Sequence, residues 1–108
     1  MKRGTLLTVA ISGDYGKPRP ALVVQSDWLD ETDSVLVCLL TTTLLEAPLY
    51  RMTVPATPET GLRAPSQVMV DKIIAVRRSR CGPMIGRLGQ PETLALNRLL
   101  ALVLGIGD

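Results

Sequence analysis

Gly16-Lys17-Pro18-Arg19-Pro20-Ala21-Leu22-Val23-Val24 moves from turn residues to an apolar run within nine positions. Pro20 pushes Arg19 into an extended conformation, and a proline is itself tolerated as the first residue of a strand. The stretch therefore reads as a glycine-containing loop entering a strand, with a guanidinium held on stiff backbone at the boundary. The Ala21–Ser26 run is short, nearly continuous and apolar, which suits a strand buried on both faces. An arginine so fixed beside a glycine-rich loop is preorganised for a phosphate, although an ordinary surface arginine would look the same locally.

Outward from this point, strand signals dominate. Thr5–Ile11 and Val35–Thr41 are β-branched and aliphatic, and Leu49–Val54 alternates, with Tyr50, Met52 and Val54 on one side. Gln67–Val76 puts Val68, Val70, Ile74 and Val76 on one face, by period two, and Met69, Asp71, Ile73 and Ala75 on the other. A short strand at Met84–Leu88 follows. The breaks are turn-rich: Ser12–Lys17 holds two glycines, and Pro55–Pro65 holds three prolines and a glycine. Closely spaced strands of this kind predict a small barrel or sandwich. After Pro91-Glu92 the period changes to helical, with Leu96, Leu99, Leu100, Val103 and Leu104 recurring until Gly105, a natural C-cap. The expected class is mainly β with one amphipathic C-terminal helix. The chain of 108 residues reads as one domain, 1–108, with no room for a second.

Composition narrows the chemistry. There is no His, so no Ser-His-Asp triad, no HExxH zinc site and no histidine base is available. Phe is also absent and aromatics are 3% of the chain, so the core must be aliphatic. The two cysteines, Cys38 and Cys81, are not in ligand spacing, which argues against a metal site, and no cofactor is expected. Cys38, in an apolar run, reads as a buried free thiol, and Cys81 as a plain thiol near arginines that can lower its pKa. The N-terminal apolar run is too short for a signal peptide and nothing reaches membrane-spanning length, so a cytoplasmic protein is expected.

The net charge of +2 hides a pattern. Gly61–Gln90 carries Arg63, Lys72, Arg77, Arg78, Arg80 and Arg87 against the lone acid Asp71, a local +5, while Asp27–Asp33 has four acids and no base. A basic stripe on a small β domain is a phosphate-binding face or a solvated charged rim.

Several elements together resemble the MazF/PemK toxin family. Lys2-Arg3-Gly4 opens the first strand, and Gly-x-x-Arg-Pro-Ala-Leu-Val-Val opens the second. Cys38-Leu39-Leu40-Thr41-Thr42 is similar to the family's third strand, and Val70-Asp71-Lys72-Ile73 to its Asp-Gln-Ile strand. Arg80, Ile85-Gly86-Arg87-Leu88, Pro91-Glu92 and the leucine-rich helix complete the order. The resemblance implies an SH3-like barrel, a homodimer, and a metal-independent endoribonuclease acting on single-stranded mRNA. It further implies a small antitoxin partner whose extended acidic tail covers the RNA groove. By position, Arg19 and Thr41 match the family's catalytic arginine and threonine, Asp14 its loop acid, and Asp71 an aspartate used in some members. Tyr15, Lys17, Thr42, Lys72, Arg77, Arg78, Arg80 and Arg87 are the candidate RNA contacts. The pattern departs from the family in a short first loop, in Thr5 after Arg-Gly, and in Ile74-Ala75 where Arg-Thr is usual.

The chemistry of such a set is sufficient in outline. RNA brings its own nucleophile, and the protein must orient it, bind a dianionic phosphorane and move protons. Arg19 suits the non-bridging oxygens and Thr41 a further hydrogen bond. Arginine hardly deprotonates, so Asp14 or Asp71 is the better proton acceptor. Tyr15, Trp28 and Tyr50 can stack on bases, although Trp28, in the acidic stretch, suits core packing or a partner contact better. A rival reading is the related CcdB family, which poisons DNA gyrase on the same barrel. Val24-Gln25-Ser26-Asp27 and Leu104-Gly105-Ile106 resemble it, but Leu104 replaces that family's gyrase-contacting Trp.

Overall fold

The computed structural model describes residues 1–11 and 17–107. The elements run β1 (Thr5–Ala10), β2 (Pro18–Val23), β3 (Ser34–Thr41), β4 (Arg51–Val54), β5 (Ser66–Arg77), a 3-10 turn (Arg78–Arg80), β6 (Cys81–Arg87) and α1 (Gln90–Leu104). The strands form one antiparallel sheet in the order β4-β5-β3-β2-β1-β6. The expected class stands: a mainly β chain with one C-terminal helix. Pro91 and Glu92 open α1, and Gly105 closes it in the left-handed region at φ 71°.

One detail of closure differs from a continuous barrel. The sheet ends, β4 and β6, do not pair with each other. The gap between them is crossed by the proline-rich segment 55–65. Arg87 N–H donates to the Glu59 carbonyl at 2.9 Å. A Cβ on Gly61 would overlap the Ile85 carbonyl, and one on Gly86 would overlap the Thr60 carbonyl. Glycine on both sides is what lets these two backbones meet, and Gly61 also needs its φ of 69°.

Alternation along the strands builds two cores. Leu6, Leu22, Cys38, Leu40, Met52, Val54, Val68 and Val70 gather on one face, where α1 supplies Leu96 and the 55–65 segment supplies Leu62. Leu7, Val9, Ala21, Val23, Val35, Val37 and Val76 gather on the other. The helix packs on β4 and β5.

β5 corrects the sequence expectation. Cys38 pairs with Ile73 but Leu40 with Val68, so two steps on β3 are matched by five on β5. An odd number of extra residues exchanges the faces of a strand. Val68 and Val70 therefore join the helix-side core with Ile73, while Ile74 and Val76 join the opposite one. The four residues expected to share a face are split by this bulge.

Candidate active site

The ladder between β2 and β3 sets Val23 against Val37, Leu22 against Cys38 and Ala21 against Leu39. Pairing stops there, next to Pro18 and Pro20, which have no N–H to donate. Continued two residues further, the same register sets Arg19 opposite Thr41, on the face that Ala21 and Leu39 share. The two side chains thus flank the place where β2 and β3 part. On its other side Arg19 pairs with Val9 of β1. Arg19 is exposed and Thr41 half-buried. Thr41 Oγ1 accepts the Thr43 N–H at 3.1 Å, which leaves the hydroxyl proton to donate outward.

Other candidates are spread more widely than their sequence clustering suggests. Asp14 and Tyr15 lie outside the described residues. Lys17 is exposed at the entry to β2. Thr42 is exposed and lines a pocket of about 370 Å³ with Thr8, Pro20, Leu62 and Arg63. Asp71 and Lys72 are both exposed in the β5 bulge opposite Leu39. Burial, helped by the Asp71 charge, pushes the Cys38 thiol up to about 12. Arg77 pairs with Ser34, at the end of β3 remote from Thr41. Arg77 and Arg80 line a depression with Ile11 and Ile74. Arg87 sits on β6 opposite Thr5.

Arg78 is committed elsewhere. Its Nε donates to the Thr32 carbonyl and its Nη2 donates to the Leu29 carbonyl at 3.1 Å. It fastens the acidic 27–33 loop to the end of β5, a structural use that sequence alone does not distinguish from phosphate binding. The sequence stripe is therefore not one continuous face. Trp28 is 93% exposed on that loop, so the core-packing expectation fails. Cys81 has its pKa raised rather than lowered, because desolvation outweighs Arg78 and the N-terminal amine. Among the described residues no group of three His, Cys, Asp or Glu could hold a metal ion.

Two residues that sequence reasoning passed over stand beside Thr41. Gln67 is its partner on β5, and Thr53 of β4 is the partner of Gln67, so Thr53, Gln67 and Thr41 form one row across the sheet. Gln67 is only 5% exposed. Its Nε2 donates to the Leu45 carbonyl at 2.9 Å and its Oε1 accepts the Leu45 N–H at 3.0 Å, which pins the 44–48 segment like an added strand. Arg51 Nη1 donates to Gln67 Oε1 at 3.3 Å and to the Thr43 carbonyl at 3.4 Å. Arg51 Nε is buried with no acceptor, a cost of about 1–3 kcal/mol. The only sequence signal was the polar phase of an alternating strand, Arg51 and Thr53, against the buried Met52 and Val54.

Known proteins resemble the chain along its whole length. The profile of the family described as PemK-like, MazF-like toxin of type II toxin-antitoxin system matches residues 2–104. A Mycolicibacterium smegmatis (strain ATCC 700084 / mc(2)155) protein named "Probable endoribonuclease MazF" is 43% identical over 107 residues, 98% of each chain. An endoribonuclease solved in complex with its cognate antitoxin, from a mycobacterial species, superposes with a TM-score of 0.82 at 23% identity, over 100% of this chain and 98% of that one. A MazE–MazF crystal structure from Deinococcus radiodurans gives a TM-score of 0.82 at 22% identity, over 99% and 98%. At these identities the solved structures speak for the fold. The profile match favours the PemK/MazF side over the gyrase-poisoning rival.

Proposed function

The chain belongs to the PemK-like, MazF-like toxin family of type II toxin–antitoxin systems, and from that membership we propose that it is the toxin of such a pair, an endoribonuclease that cuts single-stranded RNA without a metal ion. The observation that carries the chemical reading is the β2–β3 register, which continued past Ala21 sets Arg19 against Thr41.

In this reading the RNA 2′-hydroxyl oxygen attacks the adjacent phosphorus. A P–O bond to the 2′-oxygen forms and the P–O bond to the 5′-oxygen breaks, leaving a 2′,3′-cyclic phosphate and a 5′-hydroxyl. The 2′-proton passes to a carboxylate, Asp14 or Asp71, and the departing 5′-oxygen takes a proton from solvent water. Arg19 binds the non-bridging oxygens as their charge grows, where a planar, permanently charged fork is most effective. Thr41 adds one donor to the same phosphate. The nucleophile belongs to the substrate, so neither a metal-activated water nor a histidine is needed. Lys17, Thr42 and Lys72 are exposed around this point and suit backbone phosphates. The protein partner in this reading is a small antitoxin with an acidic extended segment, and the toxin acts as a homodimer in the cytoplasm. Among the described residues no helix is long and apolar enough to cross a membrane.

The test is incubation of the purified protein with a long unstructured RNA in excess EDTA. Cleavage to 2′,3′-cyclic phosphate ends is expected, and Arg19→Ala should lower the rate at least ~100-fold with an unchanged melting temperature. Cleavage abolished by EDTA, or an Arg19→Ala protein that cuts normally, overturns the mechanism.

A further inference from the structure

We infer that the pocket between the 44–48 segment and β4 is a base-recognition subsite, in which Arg51 reads the guanine of a nucleotide next to the one whose phosphate is cut. The inference rests on the ribonuclease reading above.

Leu44, Leu45, Pro48, Arg51, Thr53 and Gln67 are among the residues lining an open pocket of about 470 Å³, within the usual size range of small-ligand sites. Leu44 and Leu45 present large apolar side chains to solvent at its rim, where they cover no core of this chain. Gln67 fixes the wall through both ends of its amide. The row Thr53–Gln67–Thr41 ties the pocket to the cutting site. Gln67 is one strand spacing, about 5 Å, from Thr41, and the Arg19 position lies one strand further.

Arg51 supplies the unmet demand. Its described hydrogen bonds, both long, use Nη1 alone, so the fork that faces the pocket is Nη1 with the uncommitted Nη2, while the buried Nε is out of a ligand's reach. Arginine is a fork that pairs best with two adjacent acceptors. Guanine offers such a pair with O6 and N7, and cytosine with O2 and N3, but only guanine adds the adjacent N1–H and N2–H donors that suit the carboxylate of Glu46, which also lines the pocket. Apolar walls that hold a flat ring and one charged donor that reads its edge are the usual means of recognising single-stranded RNA. The same carboxylate repels the RNA backbone, which favours an uncharged base over a phosphate here.

The experiment compares wild type, Arg51→Met and Arg51→Lys on a randomised RNA pool, with the cut ends sequenced. Binding of an uncleavable oligonucleotide, 2′-deoxy at the scissile nucleotide, is measured with guanine, 7-deazaguanine or adenine at the preferred position. Wild type should show a guanine preference at one position flanking the cut. Arg51→Met should reduce that preference about 10-fold or more and leave the other positions of the motif intact. Replacing N7 in 7-deazaguanine should weaken wild-type binding but not that of Arg51→Met. An unchanged motif, or a uniform loss on all sequences, overturns the subsite. If wild type cuts nothing, the ribonuclease reading fails, and the binding series still decides the subsite: equal binding of the three oligonucleotides refutes it.

Discussion

Leu96→Ala tests the packing account most directly. Leu96 is the one residue of α1 with no exposed surface, and it enters the core formed by Leu6, Leu22, Leu40, Met52, Val54 and Val68. Truncation removes three carbons from a site closed on every side by strands and by Leu62 and Leu88. The expected loss is about 3–4 kcal/mol, the transfer cost plus that of an unfilled cavity. A chain of 108 residues has an unfolding entropy near 0.23 kcal/mol/K at ~2.1 cal/mol/K per residue. The melting temperature should therefore fall by about 13–18 °C. Leu94→Ala, on the exposed side of the same helix, should cost under ~1 kcal/mol and less than about 5 °C. Circular dichroism melts at two protein concentrations separate packing within one chain from self-association. A Leu96→Ala shift below 5 °C, or one no larger than that of Leu94→Ala, would refute the assignment of α1 as the lid of this core.

Two further outcomes are expected. Gly61→Ala should destabilise by about 3 kcal/mol or more in urea titrations, because its Cβ would overlap the Ile85 carbonyl, whereas Gly4→Ala, also at positive φ but with open space around it, should cost about 1–2 kcal/mol; equal effects would remove the steric argument. Burial raises the folded Cys38 pKa from 9.0 to about 12, so above pH 9 the folded chain keeps a proton that the unfolded chain loses, and stability falls as pH rises. Wild type should lose about 1 kcal/mol more than Cys38→Ala between pH 9 and pH 10, measured by denaturant midpoints, and parallel curves would contradict the burial.

The strands and the helix were legible because their signals are local. Period two at Met52 and Val54 and helical spacing at Leu96, Leu99 and Leu100 are set by the pleat and the turn of the chain itself. The β5 bulge was not legible, because Val70-Asp71-Lys72-Ile73 is as compatible with a straight strand as with a bulged one. Its cause is the partner strand, where Cys38 and Leu40 choose Ile73 and Val68. The site divides in the same way. Arg19 stood out through its two prolines, but Thr41, Gln67 and Thr53 share a row only through register between strands distant in sequence. Arg78 looked like its basic neighbours because charge reports nothing about which carbonyls a guanidinium reaches. Trp28 shows the limit of local pattern: its acidic stretch was compatible with either core packing or a partner contact, and the fold carries the side chain outward.

The seam between segment 55–65 and β6 has a consequence for how the molecule breathes. Pro55, Pro58 and Pro65 carry no amide hydrogens, so this segment cannot zip onto β6 as a strand would. The Arg87 amide is secured there by one bond to Glu59, while the β3–β5 ladder is held along most of its length. Detaching the seam exposes little apolar surface beyond Leu62 and leaves the ladders paired. Amide exchange should therefore enter this fold at Arg87 through a small sub-global opening, well before β3 or β5 releases a proton. The least costly fluctuation of this sheet is the lifting of its latch.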